Sequence, residues 1–261
     1  MSLSLPAHIV TRAVPAGFAR ALCHRPAVID VARARAQHDA YVAALRATGA
    51  EVTVLPATDA HPDSCFVEDP VVVLGKRVLG CRSAAPSRQP EAAALHTVIA
   101  THRPFVRMAP PATLDGGDVL RIGSRLFVGR SERSNAAGIA ALRTAAAAEG
   151  LEVTEVALRE GLHLKSVATI ATPELLVYWP GALDVAAFSG MELLATDEPA
   201  GGNVLAVGGV VLVSAAAPRT ATALQRAGCE VVVVCVDEFH KADGALTCLS
   251  VRMPQTGAWV T

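Results

Sequence analysis

Little in this chain suits a charged or stacking partner. Aromatic residues make up 4% of its 261 positions, and 23 Lys and Arg stand against 24 Asp and Glu. A nucleic-acid binder would need a basic stripe or a row of stacking rings, so composition argues against that class. A membrane partner has no more support. No apolar run approaches the length of a bilayer span, and the opening MSLSLPAHIVTR lacks a basic run followed by an apolar segment. The expected setting is the cytoplasm, and the expected partner is a small molecule.

Cysteine pairing is also missing as an organising principle. Cys23, Cys65, Cys81, Cys229, Cys235 and Cys248 are scattered without CxxC spacing. That pattern fits neither a structural zinc site nor a secreted disulfide scaffold, and predicts reduced thiols. No linker, low-complexity tract or charge block divides the chain, so one domain over 1–261 is expected.

What is present is repetition. Near the start, Val31, Ala34, His38, Tyr41, Val42 and Leu45 recur at helical spacing, with Asp30 placed to cap the start and Gly49 the end. The alternating segment Glu51 to Leu55 follows, closed by Pro56. The same grammar returns about five times: a strand, a tight turn such as Gly75-Lys76 or Gly123-Ser124, a second strand, a helix, a third strand. The segment Leu162 to Ile170 reads as the first strand of such a unit. The last unit opens at Gly244 and is left for the N-terminal helix and strand to complete. A closed ring follows, which removes exposed sheet edges. In such a ring every unit's first strand opens with a polar cluster, and those clusters would converge on the axis. They are Phe-Val-Glu-Asp, Leu-Asp-Gly-Gly-Asp, Leu-His-Leu-Lys-Ser, Gly-Gly-Asn and Leu-Thr-Cys-Leu-Ser.

Taken singly, these residues have ordinary explanations. A cysteine in an apolar strand usually packs as a small hydrophobe, a lone histidine is usually a satisfied core residue, and LDGGD reads as a turn. Convergence changes the reading. A cysteine nucleophile needs a base or cation to hold its thiolate and an acid for its leaving group, and His163 could serve Cys248 in both ways. Either Asp115 or Asp118 could fix the imidazole. The adjacent carboxylates Glu68 and Asp69 are costly at the mouth of an apolar strand unless a cation lies between them, as a positively charged substrate would. Lys165 is expected on the other face of its strand, with no catalytic role.

Read in order, PDSCFVEDP, APSRQPE, TLDGGDVL, FVGRSERSN, EGLHLKS and DGALTCLS closely resemble the dimethylarginine dimethylaminohydrolases of the guanidine-modifying superfamily. The likeness covers nearly the whole chain, including DVARARAQHDAYVAAL. It implies an α/β fold, a five-bladed α/β propeller (pentein fold) of ββαβ units around a central active-site cavity. It also implies hydrolysis of N-omega-methylated arginines to citrulline and a methylamine.

Carried over by motif, Cys248 is the nucleophile, His163 the general acid and base, and Asp115 its orienting carboxylate. Glu68, Asp69 and Asp243 would contact the guanidinium, Arg88 and Arg133 the substrate carboxylate, and Asp63 the amino group. Leu22 and Ala242 would make backbone contacts. No cofactor or functional metal is implied, although Cys248 and His163 would form a trap for inhibitory zinc. Monomer and homodimer both stay open.

Two features depart from the family pattern. Leu249 follows Cys248 where some relatives carry a second cysteine, and the stretch from Phe18 to Pro26 is short for a substrate-covering lid. Three alternatives remain: an arginine deiminase, an amidinotransferase, and a guanidine-binding relative without catalysis. Members of the first two groups are generally longer than 261 residues.

Overall fold

In a computed structural model that describes residues 8–253, Gly123 and Ser124 alone reverse the chain between Ile122 and Arg125, which pair across the turn. Gly123 has φ +57, with no atom within 4 Å of where a Cβ would stand. Backbone conformation rather than space therefore requires glycine there, as in tight hairpins.

Five sheets of three strands repeat one pattern: an antiparallel hairpin followed by a parallel return strand. The N-terminal segment supplies β1 (His8–Arg12), α1 (Val31–Ala47) and β2 (Glu51–Leu55). Next come β3 (Val71–Val73), β4 (Val78–Gly80), α2 (Gln89–Ala100) and β5 (Phe105–Arg107), then β6 (Val119–Ile122), β7 (Arg125–Arg130), α3 (Ala136–Ala147) and β8 (Glu152–Ala157). The third unit has α4 (Leu164–Val167), β9 (Ala168–Ile170), β10 (Leu175–Tyr178) and β11 (Glu192–Ala195). The fourth has β12 (Leu205–Val207), β13 (Val210–Ser214), α5 (Pro218–Arg226) and β14 (Glu230–Val234). After α6 (Asp237–His240), β15 (Val251–Met253) pairs antiparallel with β1, and β1 pairs parallel with β2. The two ends of the chain thus share a blade and close the ring.

A central cavity of about 240 Å³ demonstrates the five-fold arrangement. Its wall takes residues from β3, β6, β9, β12 and β15, the first strand of every blade. The expected α/β propeller is therefore the architecture, and the helices pack outside it. The capping of α1 follows the sequence: the Asp30 carboxylate accepts from Arg33 N at 3.0 Å, and Ala34, His38, Tyr41, Val42 and Leu45 are buried.

Two local expectations fail. The third blade has no α-helix between β10 and β11, only a 3-10 turn at Val185–Phe188. Pro180 and the positive-φ residues Gly181 and Gly190 interrupt that connection and leave too little continuous chain for one. Nor is Leu162 to Ile170 one strand. Asp118 Oδ1 accepts from Leu164 N at 3.1 Å, winding Leu164–Val167 into a helical turn before β9 begins.

No helix of the described residues is long and apolar enough to cross a membrane.

Candidate active site

Three of the polar segments that open the blades, those of Asp69, His163 and Cys248, meet around a second cavity of about 210 Å³. Its wall includes Leu22, Asp63, Asp69, Arg88, Arg133, His163, Ala242, Asp243 and Cys248. Nine of the eleven residues anticipated from sequence thus face a common space, although they are spread from residue 22 to residue 248. Asp115 and Glu68 are elsewhere.

Cys248 sits in a 3-10 turn, Thr247–Leu249, with 8% of its surface exposed. Its carbonyl accepts from Glu68 N at 3.2 Å, which stitches the last blade to the FVEDP segment. Burial pushes the thiol up to about 12, and the charges of Glu68 and Asp69 add to that against the opposing pull of Lys165. Burial and both acids therefore favour the protonated thiol.

His163 occupies the residue before α4 in an extended conformation. Its Nε2 lies 3.2 Å from Asp115 Oδ2, and its Nδ1 lies 3.9 Å from Asp69 Oδ1. Burial alone would strip the ring of its proton, but the Asp69 charge, the Asp115 hydrogen bond and the Asp118 charge outweigh it and hold the pKa above the ordinary imidazole value. Asp115 stands behind the ring and orients it, while Asp118 has another task. Asp118 accepts the Ser131 and Ser134 hydroxyls at 2.5 and 2.6 Å as well as Leu164 N, tying the loop of Arg133 to the start of α4. Sequence offered either acid for the histidine, and the structure assigns Asp115.

Asp69 is held by Arg88 Nη1 at 2.6 Å and by Gly117 N at 3.1 Å. Its burial, which favours the neutral acid, is overcome by His163 and Arg88, so the carboxyl lies below its ordinary range. The LDGGD segment is more than a turn, because a Cβ at residue 117 would come within 2.7 Å of His163 Nδ1 and 2.8 Å of Asp69 Oδ1.

Arg88 lines the cavity but is engaged within its wall. Besides Asp69, it donates through Nε to Glu91 at 2.8 Å and through Nη2 to the Phe66 carbonyl at 3.3 Å. Its guanidinium already holds two carboxylates within the wall. Arg133, half-buried on the same wall, has no side-chain hydrogen bond or ion pair among the described residues and is the better placed to meet an incoming carboxylate.

Glu68 does not line the Cys248 cavity. A turn closed by Val71 N donating to the Glu68 carbonyl at 3.3 Å separates the two acids: Asp69 lines the Cys248 cavity while Glu68 lines the central cavity behind it. There Glu68 accepts from Lys165 Nζ at 2.5 Å, Thr247 Oγ1 at 2.8 Å and Arg252 Nη2 at 3.0 Å. Lys165 does face away from the Cys248 cavity as expected, but through the helical turn rather than strand alternation.

The stretch from Phe18 to Pro26, short for a lid by sequence, still reaches the acids of the cavity. Leu22 N donates to Asp63 Oδ1 at 3.0 Å, and His24 N donates to Asp243 Oδ2 at 2.6 Å, so the loop lies across two of the acids. Cys23 and His24 line the cavity with it, as do Phe66 and Leu162. Asp243 holds φ +55, a conformation uncommon outside glycine and a mark of local strain beside a binding cavity.

A family model described as "N,N dimethylarginine dimethylhydrolase, eukaryotic" matches residues 6–186. The N(G),N(G)-dimethylarginine dimethylaminohydrolase of Streptomyces coelicolor is 40% identical over 227 residues, covering 86% of this chain and 88% of that one. The Pseudomonas aeruginosa enzyme, solved as a cysteine-to-serine mutant complexed with citrulline, superposes with a TM-score of 0.91 at 28% identity. It covers 95% of this chain and 100% of its own. A dimethylarginine dimethylaminohydrolase histidine-to-glycine variant, solved as an adduct with S-methyl-L-thiocitrulline, also gives 0.91 at 28% identity, covering 94% and 99%.

Proposed function

The chain belongs to the dimethylarginine dimethylaminohydrolase family, and from that premise we propose that it hydrolyses N-omega-methylated L-arginines to L-citrulline and methylamine or dimethylamine. One observation carries the reading: Cys248 and His163, from separate blades, line one cavity with Asp69, Arg133 and Asp63, and Asp115 backs the imidazole. The relative complexed with citrulline supports the product, and the S-methyl-L-thiocitrulline adduct supports a ligand of the same skeleton.

A guanidinium carbon is a poor electrophile because its charge is delocalised, so attack requires fixed acids and an aligned nucleophile. Of the three acids on this wall, Asp63, Asp69 and Asp243, the last two take the guanidinium. At an effective dielectric near 20, one carboxylate about 4 Å away is worth roughly 4 kcal/mol before desolvation. Arg133 receives the substrate carboxylate and Asp63 its amino group.

The thiol is protonated while the cavity is empty, and the arriving cation reverses the local balance. It favours the thiolate, and the thiol proton passes to solvent. Sulfur then forms a bond to the guanidinium carbon. The imidazolium of His163 protonates the methylated nitrogen, the carbon–nitrogen bond breaks with its electron pair on that nitrogen, and the amine departs. A thiouronium remains on Cys248. Neutral His163 then takes a proton from water as its oxygen bonds to the same carbon. Collapse of that adduct expels the thiolate and releases citrulline, and the proton the adduct loses restores the thiol. No step requires a cofactor. We place this chemistry on a small-molecule substrate in the cytoplasm, in a single domain acting as a monomer or homodimer, with zinc able to inhibit by binding Cys248 and His163.

Citrulline measured after incubation with asymmetric dimethylarginine and, separately, with arginine tests the reading. Product from the methylated substrate, lost in Cys248→Ala while citrulline binding persists, is the expected result. Product from arginine alone would move the chain to the deiminases, and no product from either would leave a guanidine-binding protein.

A further inference from the structure

Of the five polar openings that meet at the axis, Gly-Gly-Asn alone supplies nothing to the chemistry above. Yet Asn203 is 2% exposed and fully engaged. Its Nδ2 donates to the Lys165 carbonyl at 2.7 Å and to Thr247 Oγ1 at 2.9 Å, and its Oδ1 accepts from Thr247 N at 3.2 Å. Lys165 is two residues after His163, and Thr247 directly precedes Cys248. One amide group therefore joins the segment that carries the imidazole to the segment that carries the sulfur.

The network continues in one direction. The Thr247 hydroxyl donates to Glu68 Oε2 at 2.8 Å, which leaves its lone pairs to accept from Asn203. Glu68 is the neighbour of Asp69, and its backbone N–H holds the Cys248 carbonyl. Lys165 and Arg252 neutralise its charge from the rear. Residues beside Asp69, His163 and Cys248 are thereby fixed to one another behind the cavity wall, without any of them reaching a substrate.

We propose that Asn203 and Thr247 are positioning residues that set the placement of the Cys248 sulfur relative to His163; the proposal rests on the assignment of those two residues to catalysis. Each role is chemically demanding. Only a side chain with two donors and one acceptor in a plane replaces Asn203, and only a hydroxyl replaces Thr247, which must donate and accept at once. Displacement of reacting groups by about 1 Å costs on the order of 10²-fold in rate, so these remote bonds would be visible in turnover.

Thr247→Val keeps the shape and removes the hydroxyl, whereas Thr247→Ser keeps the hydroxyl. The expected result for Thr247→Val is a kcat lower by on the order of 10²-fold, with KM and citrulline binding near wild type. Thr247→Ser recovers most of that loss. Asn203→Ala should match Thr247→Val, and Asn203→Asp should not rescue because it loses both donors. Should the Asn203 variants not fold, the Thr247 pair decides alone. A second readout needs no substrate: alkylation of Cys248 by iodoacetamide, followed by mass spectrometry, should be faster in Thr247→Val, whose sulfur is no longer fixed, and unchanged in Thr247→Ser. Wild-type kcat and alkylation in a folded Thr247→Val would overturn the proposal. So would a kcat loss matched by equal losses in KM and citrulline binding, since that would report general distortion. If the wild type made no citrulline, the functional reading would fail by itself and the alkylation rates would still test the network.

Discussion

Arg88 and Asp69 form an ion pair of 2.6 Å with both side chains almost wholly withdrawn from water. Such a pair gains little over a well-packed apolar pair, but removal of one member leaves the other charge stranded. Here two buried carboxyls would lose their partner, because Glu91 depends on the same guanidinium. Glu91 is already pushed up to about 7 by burial, against the pull of Arg88.

Arg88→Ala is therefore predicted to act on stability first, at a cost of about 3–5 kcal/mol, the range for breaking a buried pair. Chemical denaturation of both proteins measures it. The double variant Arg88→Ala with Glu91→Gln should recover part of the loss, because one buried acid that must otherwise take up a proton is gone. Had Arg88 served only the substrate, the single change would raise KM and leave the denaturation midpoint in place.

Asp115 and Asp118 give a second comparison. Both are buried acids of one motif, but only Asp115 is bonded to the imidazole. Asp115→Asn should lower kcat by roughly 10²–10⁴-fold, the range for loss of acid–base assistance, with citrulline affinity nearly unchanged. Asp118→Asn weakens the bonds to Ser131, Ser134 and Leu164 N instead. Its effect should appear in thermal stability and, through the Arg133 loop, in KM. Steady-state kinetics on both variants separates the two roles, and a larger kcat loss in Asp118→Asn would reverse the assignment.

A third prediction concerns pH. The thiol of Cys248 lies at about 12 in the empty cavity, and only the thiolate reacts with iodoacetamide. Its alkylation rate in the unliganded protein should therefore climb through pH 9 without reaching a plateau, as the small thiolate fraction grows with each unit. A plateau near neutrality would mean a resting thiolate paired with imidazolium. Turnover should behave differently, since the substrate cation favours the thiolate while His163, held above the ordinary imidazole value, must still carry its proton. kcat/KM is expected to fall on the alkaline side as that proton is lost.

These contrasts also show what could be read from the chain. Cys248, His163 and Asp69 were legible because each opens a blade in register with the others, and a ring brings equivalent positions together. The Glu68–Asp69 split was hidden, because two adjacent acids carry no mark of which faces which cavity; that depends on the turn that Val71 N closes on the Glu68 carbonyl and on Lys165 arriving from another blade. The helical turn at α4 depends on Asp118, 46 residues earlier in sequence. The missing helix of the third blade could have been anticipated from Pro180, Gly181 and Gly190. Strand β1 lies in a stretch read only for targeting signals, and its partners Met253 and Glu51 are distant in sequence. The cover over Asp63 and Asp243 is loop without periodicity, and no spacing pattern announces that Cys23 and His24 line the cavity.

The fourth prediction sets two glycines against each other. Gly117→Ala would place a methyl 2.7 Å from His163 Nδ1 and 2.8 Å from Asp69 Oδ1, with the bond from its own N–H to Asp69 also at risk. Neither neighbour can yield freely, since Asp115 holds the ring and Arg88 holds the carboxylate. Imidazole and acid must therefore separate, and a shift near 1 Å costs on the order of 10²-fold in kcat. Gly123→Ala meets no atom within 4 Å but must adopt φ +57 in its hairpin. An alanine in that region costs roughly 1–2 kcal/mol, and Gly123 lies in the turn after β6, away from the wall of the Cys248 cavity. Its expected signature is a lower melting temperature with unchanged kcat and KM. Activity loss in both variants, in proportion to melting temperature, would show that Gly117 matters only to folding; loss confined to Gly117→Ala would show that the close approach of His163 and Asp69 is what its missing side chain permits.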